Sequence, residues 1–307
     1  MAQAGDIVRL DRGSYQLRSI LSSSSYGVVW DAGDAAIKLV NSEQMARARP
    51  DQQSCWIDSA RTEIAFLEAL SPWDGRHIVR LVDSGEYGGL PAMALEKMQG
   101  DLARHVSTAR SLPFQRVLAW MAQVNQALAK VHQYGWRYLD LKPANLLLDA
   151  STNALKLADF GTSRALADLE PHGYAGTANW QAPEQFFPDT DHLYSTCSQT
   201  DYFALGALFY YLVTKGEQLA YCKECGEAYR DHRTGGAYLV KERHGRALPP
   251  TLTADESERF VARLPRASAG PALTLLRQLL APAPAGRPAS ALDISRALAH
   301  MPVQVAA

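Results

Sequence analysis

The sequence predicts an α+β protein of two unequal parts, a small β-rich unit followed by a larger helical one. Runs with β-branched and aromatic residues crowd the region before residue 96, and helical spacing of apolar residues takes over beyond residue 100. No repeat or low-complexity linker separates the two. At 307 residues the chain has room for one large domain or two modest ones with a substantial core.

Taken in order, residues 15–21 and 26–30 read as strands, Asp31-Ala32-Gly33-Asp34 as a turn, and 35–40 as a strand again. Ile64, Leu67 and Leu70 have helical spacing in 58–70, and 78–82 and 90–95 read as two further strands. Pro113 opens a long amphipathic helix with Val117, Met121, Val124, Leu128 and Val131 on one stripe, ending at Gly135. Short strand-like pieces follow around Tyr138, at 146–148 and at 155–157. Residues 200–214 are apolar nearly all round, which predicts a helix buried on most sides. The stretch 216–269, rich in Gly, Pro and charge, reads as irregular, and two closing helices fit 270–281 and 290–301.

Hydrophobic residues make up 47% and charged residues 21%, the proportions of a globular protein rather than a disordered one. With 31 Lys and Arg against 32 Asp and Glu the net charge is −1, which argues against broad electrostatic binding to nucleic acid or an anionic membrane. No apolar stretch is long enough for a membrane-spanning helix, and no basic segment leads into a signal-type apolar run. The expectation is a soluble, cytoplasmic protein. Four cysteines are too few for a disulfide scaffold. Cys222 and Cys225 have the spacing of half a zinc site, with His232 after them, but Cys197 would have to come from across a helix to help complete it. A reduced surface-loop pair is the favoured reading.

The chemistry concentrates in Tyr138-Leu139-Asp140-Leu141-Lys142-Pro143-Ala144-Asn145, with Asp159-Phe160-Gly161 downstream and Ala182-Pro183-Glu184 beyond it. Each triplet alone could be a chance turn, but their order and separation make chance a poor explanation. On these residues the sequence resembles the eukaryotic-type (Hanks-type) Ser/Thr protein kinase family over nearly its whole length. The resemblance implies a bilobal fold in one domain over 10–300: an N-lobe of about 10–95 with one helix, a hinge at 96–101, and a helical C-lobe over 102–300. It makes Asp140 the catalytic base, Asn145 and Asp159 the ligands of Mg²⁺ or Mn²⁺, and Lys142 the balance for charge on the transferred phosphoryl group. Lysine at 142 is also the family's mark for Ser or Thr acceptors.

Upstream, Ala35-Ala36-Ile37-Lys38 resembles the family's strand whose lysine contacts the α- and β-phosphates of ATP, with Glu63 as ion-pair partner and Glu68 as the alternative. Leu95 would gate the back of the nucleotide pocket, the backbones of Glu96 and Met98 would bind adenine, and Asp101 would reach the ribose. Val29, Ala36 and Leu147 are implied as further nucleotide contacts. Asp201 resembles the buried aspartate that anchors the catalytic loop, and Arg287 the partner of Glu184.

Two departures stand out. The phosphate-covering loop is Ser22-Ser23-Ser24-Ser25-Tyr26-Gly27, so only the third glycine of the family pattern survives. Serine at φ > 0 would be strained, leaving either a stiffer working lid or a compromised nucleotide site. Tyr138-Leu139 replaces His-Arg: Tyr138 can pack beside Phe160 and Leu67, but Leu139 cannot bind a phosphorylated residue as the arginine does. Activity is therefore expected not to need phosphorylation of 162–181, where Ser163, Tyr174 and Thr177 are the available sites.

The leading expectation is a kinase using ATP and Mg²⁺ on protein substrates, with its own chain as a further candidate substrate, no nucleic-acid partner and no membrane insertion; the oligomeric state is left open. A pseudokinase serving as an ATP-binding or interaction scaffold, and a small-molecule phosphotransferase, stay open beside it. Gly176-Thr177-Ala178-Asn179-Trp180 before the Ala-Pro-Glu triplet disfavours the last. The 216–269 stretch is a candidate docking surface.

Overall fold

A computed structural model describes residues 2–149, 151–189 and 192–302. In the N-lobe, β1 (Ile7–Arg9) and β2 (Ser14–Gln16) form an antiparallel pair. Strands β3 (Ile20–Ser23), β4 (Gly27–Asp31), β5 (Ala35–Val40), β6 (Leu81–Tyr87) and β7 (Leu90–Glu96) form one antiparallel sheet in the order β3-β4-β5-β7-β6. Side chains alternate across a strand, so register decides what each face carries. Val29 stands opposite Lys38, Ala36 opposite Leu95, and Lys38 opposite Met93, which puts these five side chains on one face. Trp30, Ile37, Leu39, Ala92 and Ala94 fall on the other, where they form a separate apolar cluster with Val8 and Leu17.

Helices α1 (Ser42–Arg47) and α2 (Ser54–Ala69) lie between β5 and β6. The sequence reading had a single helix here, starting four residues later. Helix α1 begins at Asn41, whose side-chain oxygen accepts from the Gln44 N–H at 3.2 Å.

The C-lobe begins with α3 (Leu102–Thr108) and the long α4 (Phe114–Gln133). Then come β8 (Trp136–Arg137), β9 (Leu146–Asp149), β10 (Ala154–Leu157) and β11 (Arg164–Ala165), paired as β9 with β10 and β8 with β11. A single turn, α5 (Pro183–Phe186), precedes α6 (Ser198–Val213), which is buried over most of its length as its composition requires. Helices α10 (Arg266–Leu279) and α11 (Ala291–Ala299) close the lobe. Phe66 and Leu67 of α2, Met93 and Leu95 of the sheet, and Tyr138 and Phe160 of the loops share one continuous core with α4 and α6.

Residues 216–269 are not irregular. They form α7 (Ala220–His232), α8 (Gly236–Arg243) and α9 (Ala254–Ala262). Helix α7 buries Tyr221, Cys222, Cys225 and Ala228 on one side, so the two cysteines sit inside a helix interface and not on a surface loop. Burial pushes the Cys225 thiol up to about 12 and that of Cys222 well above its ordinary value, away from the thiolate a zinc ligand must be. Among the described residues no group of three or more His, Cys, Asp or Glu side chains is placed to hold a metal ion. No described helix is long and apolar enough to cross a membrane.

Candidate active site

The inner face of the sheet and the first turns of the C-lobe bring the predicted residues together. Lys38 Nζ lies 2.5 Å from Glu63 Oε2 and 2.7 Å from Asp159 Oδ1. Burial works against charge on Lys38, but the two carboxylates beside it overcome that and push its pKa above the ordinary lysine value. Burial pushes the Glu63 carboxyl up, partly offset by Lys38. Burial also opposes ionisation of Asp159, but Lys38, Lys142 and the Gly161 N–H hold its carboxyl below the usual range. Glu68 is turned elsewhere and accepts from Ser84 Oγ at 2.8 Å.

Over Lys38 lies the serine-rich loop. Ser24 N donates to Gly27 O at 2.8 Å, and Gly27 N donates to Ser24 Oγ at 3.1 Å. None of Ser22, Ser23, Ser24, Ser25 and Tyr26 has a positive φ, so the strain expected of serine in this loop is absent. Gly27 has no positive φ either, and a Cβ there would lie 3.1 Å from Lys38 Cε, so a larger residue would press on that side chain by a few tenths of an ångström.

The loop from β8 to β9 carries Asp140, Lys142 and Asn145. Its backbone is held in an uncommon shape, with Leu139 at φ +68° and Asp159, after β10, at φ +64°. Such torsions persist only where the surroundings enforce them. Here Asp201 Oδ2 accepts from Tyr138 N at 2.9 Å and Oδ1 from Leu139 N at 2.7 Å, while Gln185 Nε2 donates to Leu139 O at 2.9 Å. Asp201 is itself fixed by His132 Nε2 at 2.8 Å. Tyr138 packs edge-on against Phe160, 5.2 Å between ring centres, and its hydroxyl donates to Ala158 O. Phe160 stacks in turn on Phe66 at 4.4 Å, and Leu67 is buried in the same core.

Asp140 is buried and fully engaged. Oδ2 accepts from Lys142 Nζ at 2.8 Å and from Asn145 Nδ2 at 3.0 Å, and Oδ1 accepts from Thr177 Oγ1 at 2.7 Å. Burial raises its pKa; Lys142 pulls it back, and the charge of Asp159 adds to the rise. Asn145 spends its amide N–H groups on Asp140, which leaves its Oδ1 as the acceptor end. Asp159 and Asn145 together offer oxygen donors of the kind a hard divalent cation takes, with phosphate oxygens completing its shell, so the donor set fits Mg²⁺.

At the junction of the lobes Leu95 and Ala36 are buried, and Met98 and Leu147 are half-buried. Glu96 N donates to Arg80 O at 2.9 Å, and its carboxylate accepts from Lys156 Nζ at 2.5 Å. Asp101 caps α3 by accepting from Arg104 N at 2.8 Å.

Beneath the site, Arg287, fully shielded from solvent, forms a two-pronged pair with Glu184 at 2.6 and 2.8 Å and donates to the carbonyls of Ala281, Gln199 and Pro282. The segment after Asp159-Phe160-Gly161 is ordered without an arginine at 139. Arg164 pairs with Asp168, and Arg137 Nη2 donates to Asp168 O at 2.8 Å. The sequence reading missed Arg137 and Asp168, and also Trp56, which donates Nε1–H to Ser25 O at 2.7 Å. The Trp56–Ser25 and Arg137–Asp168 bonds each join positions 31 residues apart, which no local pattern marks, whereas Asp168 has its other partner, Arg164, four residues before it.

This two-lobed fold, with a lysine–glutamate pair under a sheet and a shared carboxylate loop below it, defines the protein kinase class. The "Protein kinase domain" family matches residues 17–301, and the chain belongs to it. It is 36% identical over 146 residues to "Serine/threonine-protein kinase PknB" of Mycobacterium leprae, covering 45% of this chain and 22% of that protein. It is 30% identical over 205 residues to "Cyclin-dependent kinase B2-1" of Arabidopsis thaliana, covering 63% of each. Against "Serine/threonine-protein kinase ATG1b" of Arabidopsis thaliana it is 29% identical over 208 residues, covering 66% of this chain and 28% of the other. The chain thus spans less than two thirds of the length of each of these relatives.

Proposed function

We propose that this chain transfers the γ-phosphoryl group of ATP to Ser or Thr hydroxyls of protein substrates, its own among them, in the cytoplasm. The catalytic unit is taken as 10–300, with the lobes meeting at 96–101. Lys38, held by Glu63, receives the α- and β-phosphates, and adenine lies between Val29, Ala36 and Leu147 with the backbones of Glu96 and Met98 at its edge. Leu95 closes the back of the pocket, and Asp101 faces the ribose. Asp159 and Asn145 hold Mg²⁺, with Mn²⁺ as an alternative; the bound ion supplies neutralisation of phosphate charge. Asp140 orients the acceptor hydroxyl and takes its proton, and Lys142 offsets charge on the moving phosphoryl group.

The observation that carries this reading is the convergence of Lys38, Glu63 and Asp159 in one ion-pair cluster, with the Asp140–Lys142–Asn145–Thr177 cluster coupled to it through the charges of Asp159 and Lys142. A protein acceptor is supported by a cavity of about 950 Å³ lined by Gly161 and Thr177 together with residues of α2 and α7. Incubation with labelled ATP and Mg²⁺, with a generic protein acceptor, tests the reading: label on Ser or Thr supports it. Tight Mg·ATP binding without any transfer supports the scaffold alternative instead, to which the serine-rich loop lends its weight.

A further inference from the structure

Resting on the nucleotide reading above, we propose that Trp56 is a positioning residue that latches the phosphate-covering loop to helix α2 and so ties loop closure to the Lys38–Glu63 pair.

Three successive carbonyls of the loop are taken by donors outside it. Ser24 O accepts from Asn41 Nδ2 at 2.7 Å, Ser25 O from Trp56 Nε1 at 2.7 Å, and Tyr26 O from Asn41 N at 2.9 Å. The Tyr26 ring also lies 5.0 Å from that of Trp56. Carbonyl oxygens are the groups of a loop that repel phosphate. With all three engaged elsewhere, the loop has fewer ways to turn them toward a nucleotide. A glycine-rich loop would have to be ordered by its ligand; this one is ordered in advance.

The latch sits on the helix that carries Glu63. Trp56, Ser59, Ala60 and Glu63 are spaced i, i+3, i+4, i+7, one face of α2, and line the small space under the loop with Lys38 and Asp159. Gly161 lets that face approach, because a Cβ there would fall 2.2 Å from Ser59 Oγ. Trp56 and Glu63 are two turns apart on one rigid element, about 10 Å along its axis. The loop cannot lift far from Trp56 without releasing α2 or breaking the bond, and a shift of α2 draws Glu63 from Lys38. Such coupling is reciprocal: whatever favours the ion pair favours the closed loop.

The test uses the full chain and two probes, a non-hydrolysable Mg·ATP analogue and adenosine, with affinities from calorimetry. Trp56→Phe keeps the ring and removes the donor. It is expected to weaken the analogue about five-fold, the worth of one hydrogen bond, while adenosine, which lacks phosphates for the loop to cover, changes less than two-fold. Asn41→Ala, acting from the other side of the loop, is expected to give the same pattern. Trp56→Phe combined with Glu63→Gln is expected to cost less than the product of the two single losses. Unchanged analogue affinity in Trp56→Phe, or equal loss of both probes, overturns the latch; independent losses in the double variant overturn its tie to the ion pair. A wild-type chain that binds neither probe overturns the nucleotide reading and the latch with it, whereas normal wild-type binding beside an indifferent Trp56→Phe overturns the latch alone.

Discussion

Thr177 donates its hydroxyl to Asp140 Oδ1 across 2.7 Å, and Thr177 Oγ1 in turn accepts from Lys142 Nζ at 2.7 Å. A residue 37 positions downstream thus closes a ring of polar contacts around the carboxylate assigned as base.

Thr177→Val keeps the shape of the side chain and removes this bond. Turnover is expected to fall about ten- to a hundred-fold by the scale of misplaced catalytic groups. The pH profile adds a second readout. Donors to a carboxylate favour its charged form, so losing one raises the Asp140 pKa further above its already elevated position. A base must be ionised to work, so the acid limb of kcat/KM should move to higher pH in Thr177→Val, and further in Lys142→Met, which loses a charge as well. An acid limb unmoved in both would separate Asp140 from that limb.

Asp140→Asn and Lys38→Met are expected to lower phosphoryl transfer by about a hundred-fold or more while a cooperative unfolding transition persists. Side-by-side transfer assays and thermal melts check this. Transfer at the wild-type rate in Asp140→Asn would remove the residue from the role of base.

Arg287→Ala leaves the half-buried Glu184 without its partner and strips donors from three carbonyls. Losses of this kind run to about 3–5 kcal/mol, and denaturant titration should find a shift of that order. Nucleotide affinity of the fraction still folded should stay near wild type, since Arg287 lies beneath the site. An unchanged unfolding midpoint would mean that the pair contributes nothing net.

Turnover is expected to survive phosphatase treatment. Ser163 is buried, Tyr174 is stacked at 4.4 Å on Tyr229, and Thr177 is committed to Asp140, so none of the three stands ready as an acceptor. Asp168 supplies the anion internally through Arg164 and, by its carbonyl, Arg137. Asp168→Asn should therefore slow transfer more than phosphatase does; loss of activity on dephosphorylation, restored by rephosphorylation, would reverse this ranking.

What could be read from residues alone follows from how local each signal is. The short apolar run of 35–40 and the stripe of 114–133 are written into consecutive positions, and so are the spacings around Asp140 and Asp159. The 216–269 helices were hidden by charge and by the glycines before α8, although Thr253-x-x-Glu256 was a legible start signal: Glu256 Oε2 accepts from Thr253 N at 2.8 Å. The cysteine pair, read as a reduced surface-loop pair, is buried in α7 instead, because a two-residue gap also places two small apolar side chains on one helix face. Trp56 and Arg137 act across folded distances, and nothing near them in the chain announces their partners.

The β1–β2 hairpin has a practical corollary. Val8 and Leu17 roof the far side of the sheet over Trp30, Ile37 and Leu39, and Asp83 fastens that roof by accepting from Arg12 N and the Tyr15 hydroxyl, each at 3.1 Å. Recognisable similarity to other kinases starts only at residue 17. A fragment trimmed to that boundary would uncover an oily surface on the lobe that must grip the nucleotide, and it should clump or melt early. The unit of inheritance and the unit of stability do not share an edge here.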